Sequence, residues 1–128
     1  MLIVLEGLDG AGKTTQVNLL RKYFESENTR TVFLHFPRFD APVYGNLIAS
    51  FLRGEFGDVS VVDPRLVALL YAGDRDNAAP KITTWLAKGY VVILDRYVYS
   101  NIAFQCAKIS DDTGREKLRE WIFDLEYN

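Results

Sequence analysis

The sequence predicts an α/β fold in which a parallel sheet is covered by helices on both faces. Two features predict it. Short aliphatic runs of strand length alternate with longer segments whose apolar residues recur at helical spacing. The first of those runs also leads straight into a glycine-rich turn that opens the first helical segment.

Leu2 to Glu6 is continuous, aliphatic and bounded by Gly7, which predicts a strand buried on both faces. From Lys13 to Glu27, Val17, Leu20 and Phe24 lie on one helical face, with Leu19 and Tyr23 beside them. Thr31 to Phe36 is a second strand, ended by Pro37. Val43 to Arg53 places Val43, Leu47, Ile48, Phe51 and Leu52 at helical spacing, and Gly54 to Ser60 is a turn. Asp63-Pro64 starts a helix, with the aspartate as cap and the proline in the first turn; Leu66, Leu69 and Leu70 are expected to face inward. After Pro80 a separate helical segment carries Ile82, Trp85 and Leu86 and ends at Gly89. Tyr90 to Leu94 is a third buried strand, stopping at Asp95-Arg96. A last helix begins near Asp112, with Leu118, Trp121, Ile122 and Leu125 as its apolar stripe. No repeat, low-complexity tract or linker divides the 128 residues, which read as one domain.

The formal charge of −2 is too near neutral to draw the chain to a nucleic acid polymer or to a membrane surface. An anionic small molecule would have to be met by a local group of Arg and Lys. No apolar stretch approaches the ~20 residues that span a bilayer, and Leu2 to Leu5 is no signal sequence. The only cysteine, Cys106, can form no internal disulfide, so a cytoplasmic setting is expected and the thiol reads as a small apolar helix residue.

Gly7-Leu8-Asp9-Gly10-Ala11-Gly12-Lys13-Thr14 satisfies G-x-x-x-x-G-K-[ST] at every fixed position, with a strand before it and a helix after it. Glycines there let several N–H groups point at one anion, and the helix N-terminus adds partial positive charge. In such a loop Lys13 reaches the β- and γ-phosphates and the Thr14 hydroxyl ligates Mg²⁺. Asp95 ends a buried strand at the edge where parallel sheets bind ligands. It is expected to act on the same Mg²⁺, through water, while Arg96 forks onto a phosphate. The plainer reading is that Asp95 caps the next helix and Arg96 is solvated. Arg38 follows the second strand, Tyr71 and Arg75 stand i, i+4 on one helix, and Asn101, Phe104 and Gln105 share another helical face. Singly these read as structure; together they describe an aromatic plate, amide readers and arginines suited to a nucleoside monophosphate.

Four segments, Leu8 to Gln16, Phe36-Pro37-Arg38, Leu70 to Arg75 and Asp95 to Asn101, resemble the thymidylate kinase family in order and spacing. The resemblance implies a three-layer P-loop kinase fold and transfer of the ATP γ-phosphoryl to dTMP, giving dTDP and ADP for dTTP synthesis. It implies that Gly7 to Thr15, including Leu8, Gly10, Ala11 and Thr15, bind the ATP phosphates, with Lys13, Asp95 and Arg96 catalytic and Thr14 and Asp95 at the metal. Tyr71 would stack on thymine and Arg75 would hydrogen-bond its carbonyl. Asn101, Gln105 and Phe36 would lie in the dTMP site, and Phe104 would crowd the sugar to favour deoxyribose. Asp9 would contact the sugar hydroxyl or the metal, and Arg38 and Arg96 would hold the acceptor phosphate. A homodimer through helix faces is also implied.

In two places the chain departs from the family pattern. Gly10 stands where some members carry a loop arginine, so the catalytic arginine is expected in a late, mobile lid. Asn128 precedes any such lid and two further strands, so the chain is expected to be the N-terminal portion of the domain. Other readings are a different nucleoside or nucleotide kinase, or a nucleotide-binding module without efficient turnover. A GTPase switch lacks its Asn-Lys-x-Asp reader, and Asp111 to Gly114 matches D-x-x-G by chance. His35, alone in a strand, is expected to be a satisfied core histidine, and Trp121 a core aromatic.

Overall fold

The computed structural model describes residues 1–128. Its elements in chain order are β1 (Leu2–Leu5), α1 (Lys13–Ser26), β2 (Thr31–His35), α2 (Tyr44–Leu52), α3 (Pro64–Ala87), β3 (Val91–Asp95), α4 (Val98–Cys106) and α5 (Asp112–Tyr127). They fall into two compact units, one of Met1–Phe36 with Asp76–Tyr97, the other of Pro37–Arg75 with Val98–Asn128. No helix is long and apolar enough to cross a membrane.

The first unit holds the whole sheet, which is parallel and ordered β1-β3-β2. β3 is buried at every residue because it has a strand on each side and a helix on each face. Alternation divides its side chains. Val92 and Leu94 pack with Ala78 and Ile82 of α3 and with Val32 and Leu34. Val91 and Ile93 pack on the opposite face with Val17, Leu20 and Phe24 of α1 and with Ile3 and Leu5. Register brings the three strand ends level, since Leu5 and His35 both pair with Asp95. The chain therefore leaves all three strands at one edge.

Three expectations change here. β1 is not buried on both faces: Leu2 is 43% and Val4 38% exposed, because β1 pairs with β3 alone and only its Ile3 and Leu5 face is covered by α1. The two helices expected around Pro80 are one continuous helix, α3. A proline removes one N–H and crowds the carbonyl four residues back. That carbonyl belongs to Asp76, which like Pro80 is exposed, so water can satisfy it while Ala78 and Ile82 hold the helix to the sheet. Early in α3, Leu66 and Leu69 are exposed; Val67 and Ala68 are the residues that turn inward. The cap at Asp63 forms as expected, its Oδ1 accepting from Arg65 N–H at 2.8 Å.

In the second unit, α4 and α5 bury Val98, Ile102, Leu118 and Ile122; α4 also buries the amides Asn101 and Gln105 and exposes Tyr99 and Phe104. Asp111 caps α5 by accepting from Gly114 N–H at 2.6 Å, so the D-x-x-G match is a helix start. Cys106 is partly buried, its Sγ donating to the Arg115 carbonyl at 3.6 Å, and burial pushes the thiol up.

Candidate functional site

The glycine loop of the first unit has the backbone that its sequence requires. Gly10 and Gly12 take φ of 78° and 94°, left-handed conformations that a side chain would strain. Gly12 is the N-cap of α1, and no side chain caps that helix, so its first N–H groups are not claimed by a protein oxygen. Lys13 Nζ folds back and donates to the carbonyls of Gly7 and Leu8, both at 2.9 Å. A cation is thus held in the concavity by loop oxygens. Thr14 and Thr15, in the first turn of α1, are exposed.

Beside the loop in the same unit, Asp95 has two unlike oxygens. Oδ2 pairs with His35 Nδ1 at 3.1 Å, and Oδ1 is buried with no hydrogen-bond partner. A carboxylate oxygen in that condition suits a metal-bound water, which would donate to it. His35 is therefore no core histidine: its side chain is 45% exposed and it pairs with Asp95 at the strand edge. Among the described residues no group of three His, Cys, Asp or Glu could by itself hold a metal. Thr14 and Asp95 fit Mg²⁺, which is commonly bound by one or two protein oxygens together with substrate phosphates and water.

Arg96 follows at a φ of 67°, an unusual backbone for a long side chain. Arg96 N–H donates to the Leu5 carbonyl at 2.8 Å, and Tyr97 N–H donates to Glu6 Oε1 at 2.9 Å. These bonds hold the turn and bring the Arg96 guanidinium to 2.7 Å from Asp9 Oδ1. That hydrogen bond, then the charge of Arg96, holds the exposed Asp9 carboxyl below the usual carboxylate range. Phe36 is elsewhere. Its ring is 2% exposed in the core with Tyr97 at 5.8 Å between centroids.

The second unit carries the remaining candidates. Arg38 is gripped by buried Asp74: Nε reaches Oδ1 at 2.9 Å, Nη2 reaches the Asp74 carbonyl at 2.8 Å, and Arg38 N–H reaches Oδ2 at 2.9 Å. Arg75 is forked onto Glu126 of α5, with Nε to Oε2 at 2.9 Å and Nη2 to Oε1. Tyr71, one turn earlier on α3, is partly buried. Asn101 Nδ2 donates to the Ala68 carbonyl and to Glu126 Oε1, both at 3.1 Å, and Asn101 Oδ1 accepts from Gln105 Nε2 at 3.4 Å. Phe104, on the same helix, is 51% exposed.

Asp74, His35 and Glu126 were missed in the sequence. Asp74 had a readable signal, since it sits on a helix face otherwise apolar, whereas Glu126 shares its face with Arg115 and Arg119 and had none. His35 ends its strand at the level where Asp95 ends the next one, which only strand register reveals.

The parallel sheet, the left-handed glycines and the uncapped helix after them define a phosphate-binding-loop α/β protein. The thymidylate kinase family model matches residues 5–121. The chain is 39% identical to the thymidylate kinase of Mycobacterium tuberculosis over 128 residues, covering 99% of this chain and 58% of that protein. It is 41% identical to a probable thymidylate kinase of Thermococcus kodakarensis over 130 residues, covering 98% of this chain and 59% of the relative. The solved structure of Candida albicans thymidylate kinase superposes with a TM-score of 0.78 at 30% identity, covering 97% of this chain and 56% of that one. The chain belongs to the thymidylate kinase family. It spans a little under three-fifths of the curated relatives, 58% and 59% of the two named.

Proposed function

We propose that the protein carrying this chain transfers the γ-phosphoryl group of ATP to dTMP. The observation that carries the proposal is the phosphate loop of the first unit, its glycines left-handed and its helix uncapped, in a chain of this family. An oxygen of the dTMP phosphate bonds to the γ-phosphorus as the bond to the β–γ bridging oxygen breaks, giving dTDP and ADP. Little covalent chemistry is asked of the protein, so its work is to position and to neutralise charge.

In this reading the N–H groups of Gly7 to Thr15 cradle the donor phosphates. Lys13 exchanges two neutral carbonyls for phosphate oxygens, a stronger charge-assisted contact. The Thr14 hydroxyl and, through water, Asp95 would hold Mg²⁺, which would supply positive charge to the donor phosphates. Arg96, preset by its backbone and by Asp9, offers its guanidinium to a phosphate.

In the second unit Tyr71 supplies a ring for stacking, Arg75, Asn101 and Gln105 supply polar contacts to the base, and Phe104 lies against the sugar. Arg38, oriented by Asp74, serves the acceptor phosphate. The Candida albicans relative is described as having broad substrate specificity, so acceptor preference must be measured for this protein.

The test of the loop is calorimetric. Lys13→Ala removes a charge-assisted contact of about 1.5–3 kcal/mol, so Mg·ATP affinity should fall by on the order of tenfold or more. Unchanged affinity would place the triphosphate elsewhere.

A further inference from the structure

We propose that Glu126 is a positioning residue for base recognition, setting both the plane of Arg75 and the polarity of the Asn101–Gln105 amide pair. The inference rests on the reading that this unit takes the base of a nucleoside monophosphate.

Glu126 and Arg75 are each only 4% exposed at the side chain, and the carboxylate takes the guanidinium as a fork. A two-point contact fixes the plane of the guanidinium as well as its position. It also neutralises the cation, which suits an uncharged base better than an anionic group.

The same carboxylate settles which way Asn101 faces. An ionised carboxylate only accepts hydrogen bonds, and so does the Ala68 carbonyl. Both lie at 3.1 Å from one Asn101 atom, which must therefore be the amide nitrogen. Asn101 Oδ1 then has to accept, and Gln105 Nε2 is the donor at 3.4 Å. This leaves Gln105 Oε1 as a buried acceptor with no partner, on a residue 3% exposed. Glu126 thus starts a relay that ends in an unsatisfied acceptor. A base that brings an N–H to this acceptor would satisfy it; thymine and uracil carry an imide N–H at N3, and cytosine has a lone pair there instead.

Glu126→Gln tests the relay, because a carboxamide can donate as well as accept and lets Asn101 turn over. The full gene product and the variant are compared with dTMP and dCMP as acceptors, alongside the KM for ATP and the thermal midpoint. In the variant the KM for dTMP is expected to rise on the order of tenfold, the preference for dTMP over dCMP to narrow, and the KM for ATP to stay unchanged. Wild-type KM and preference in a folded Glu126→Gln would overturn the inference. So would parallel losses for ATP and dTMP with a lowered midpoint, which mark a purely structural residue. If the wild type does not use dTMP at all, the functional reading fails, and the inference is then judged by the Asn101 side-chain amide resonances. These should move in Glu126→Gln, and unmoved signals would overturn it.

Discussion

His35 and Asp95, sixty positions apart in sequence, end adjacent parallel strands in direct register, with Nδ1 of one 3.1 Å from Oδ2 of the other. The pairing leaves Asp95 Oδ1 as the buried oxygen without a partner. An outer-shell carboxylate that holds a metal-bound water typically matters by about 10–100-fold. Asp95→Asn should therefore lower turnover by about that factor and raise the Mg²⁺ concentration at half-saturation. His35→Ala should move the same Mg²⁺ midpoint by less. A Mg²⁺ titration of turnover measures both, and an unmoved midpoint in Asp95→Asn would remove Asp95 from the metal site.

The Asp9–Arg96 contact has a pH consequence. Arg96 holds the Asp9 carboxyl below its usual range, so the ionised pair is present above that range and is lost as pH falls through the depressed value. In Arg96→Gln the Asp9 carboxyl should titrate at higher pH than in the wild type. Lys13 and His35 also favour its charged form, so some depression should remain. Carbon-13 detected titration of the side chain follows this directly; identical midpoints would mean that Arg96 does not set the Asp9 charge.

Asp74 is a structural anchor for Arg38. Its side chain is 1% exposed against 15% for Arg38, and it receives the Arg38 backbone N–H as well as the guanidinium. Removing one member of a buried pair leaves the other unpaired, at a cost of about 3–5 kcal/mol. Asp74→Ala should lose stability of that order in urea unfolding. A loss below about 1 kcal/mol, the size of an ordinary hydrogen bond, would contradict the anchoring.

How much of this was legible followed from the range of each interaction. Val91 to Asp95 reads as a buried strand and is one, because nothing else suits five successive residues buried on both faces. Leu2 to Leu5 carries the same hydropathy, yet its exposure depends on which strands and helices reach it, and local pattern has no access to that. Pro80 reads as a break because the rule for proline is local, whereas the helix is held by Ala78 and Ile82 against the sheet. Leu66 and Leu69 have more apolar surface to bury than Val67 and Ala68, but close packing inside the unit selects the smaller pair. The phosphate loop was fully legible, being one contiguous segment with its own backbone demands. Its partners were only half so. Asp95 and Arg96 could be placed at the edge, but His35, Asp74 and Glu126 act on residues 60, 36 and 51 positions away.

The central claim is that the full gene product phosphorylates dTMP, and an acceptor panel tests it most directly. With Mg·ATP as donor, kcat/KM is measured for dTMP, dUMP, UMP and AMP. The account predicts dTMP as the best acceptor. It also predicts that Tyr71→Ala, by removing about 1–3 kcal/mol of base stacking, lowers kcat/KM for dTMP while leaving the KM for ATP in place. A preference for AMP or UMP over dTMP, or no transfer to dTMP by folded protein that binds Mg·ATP, would contradict it.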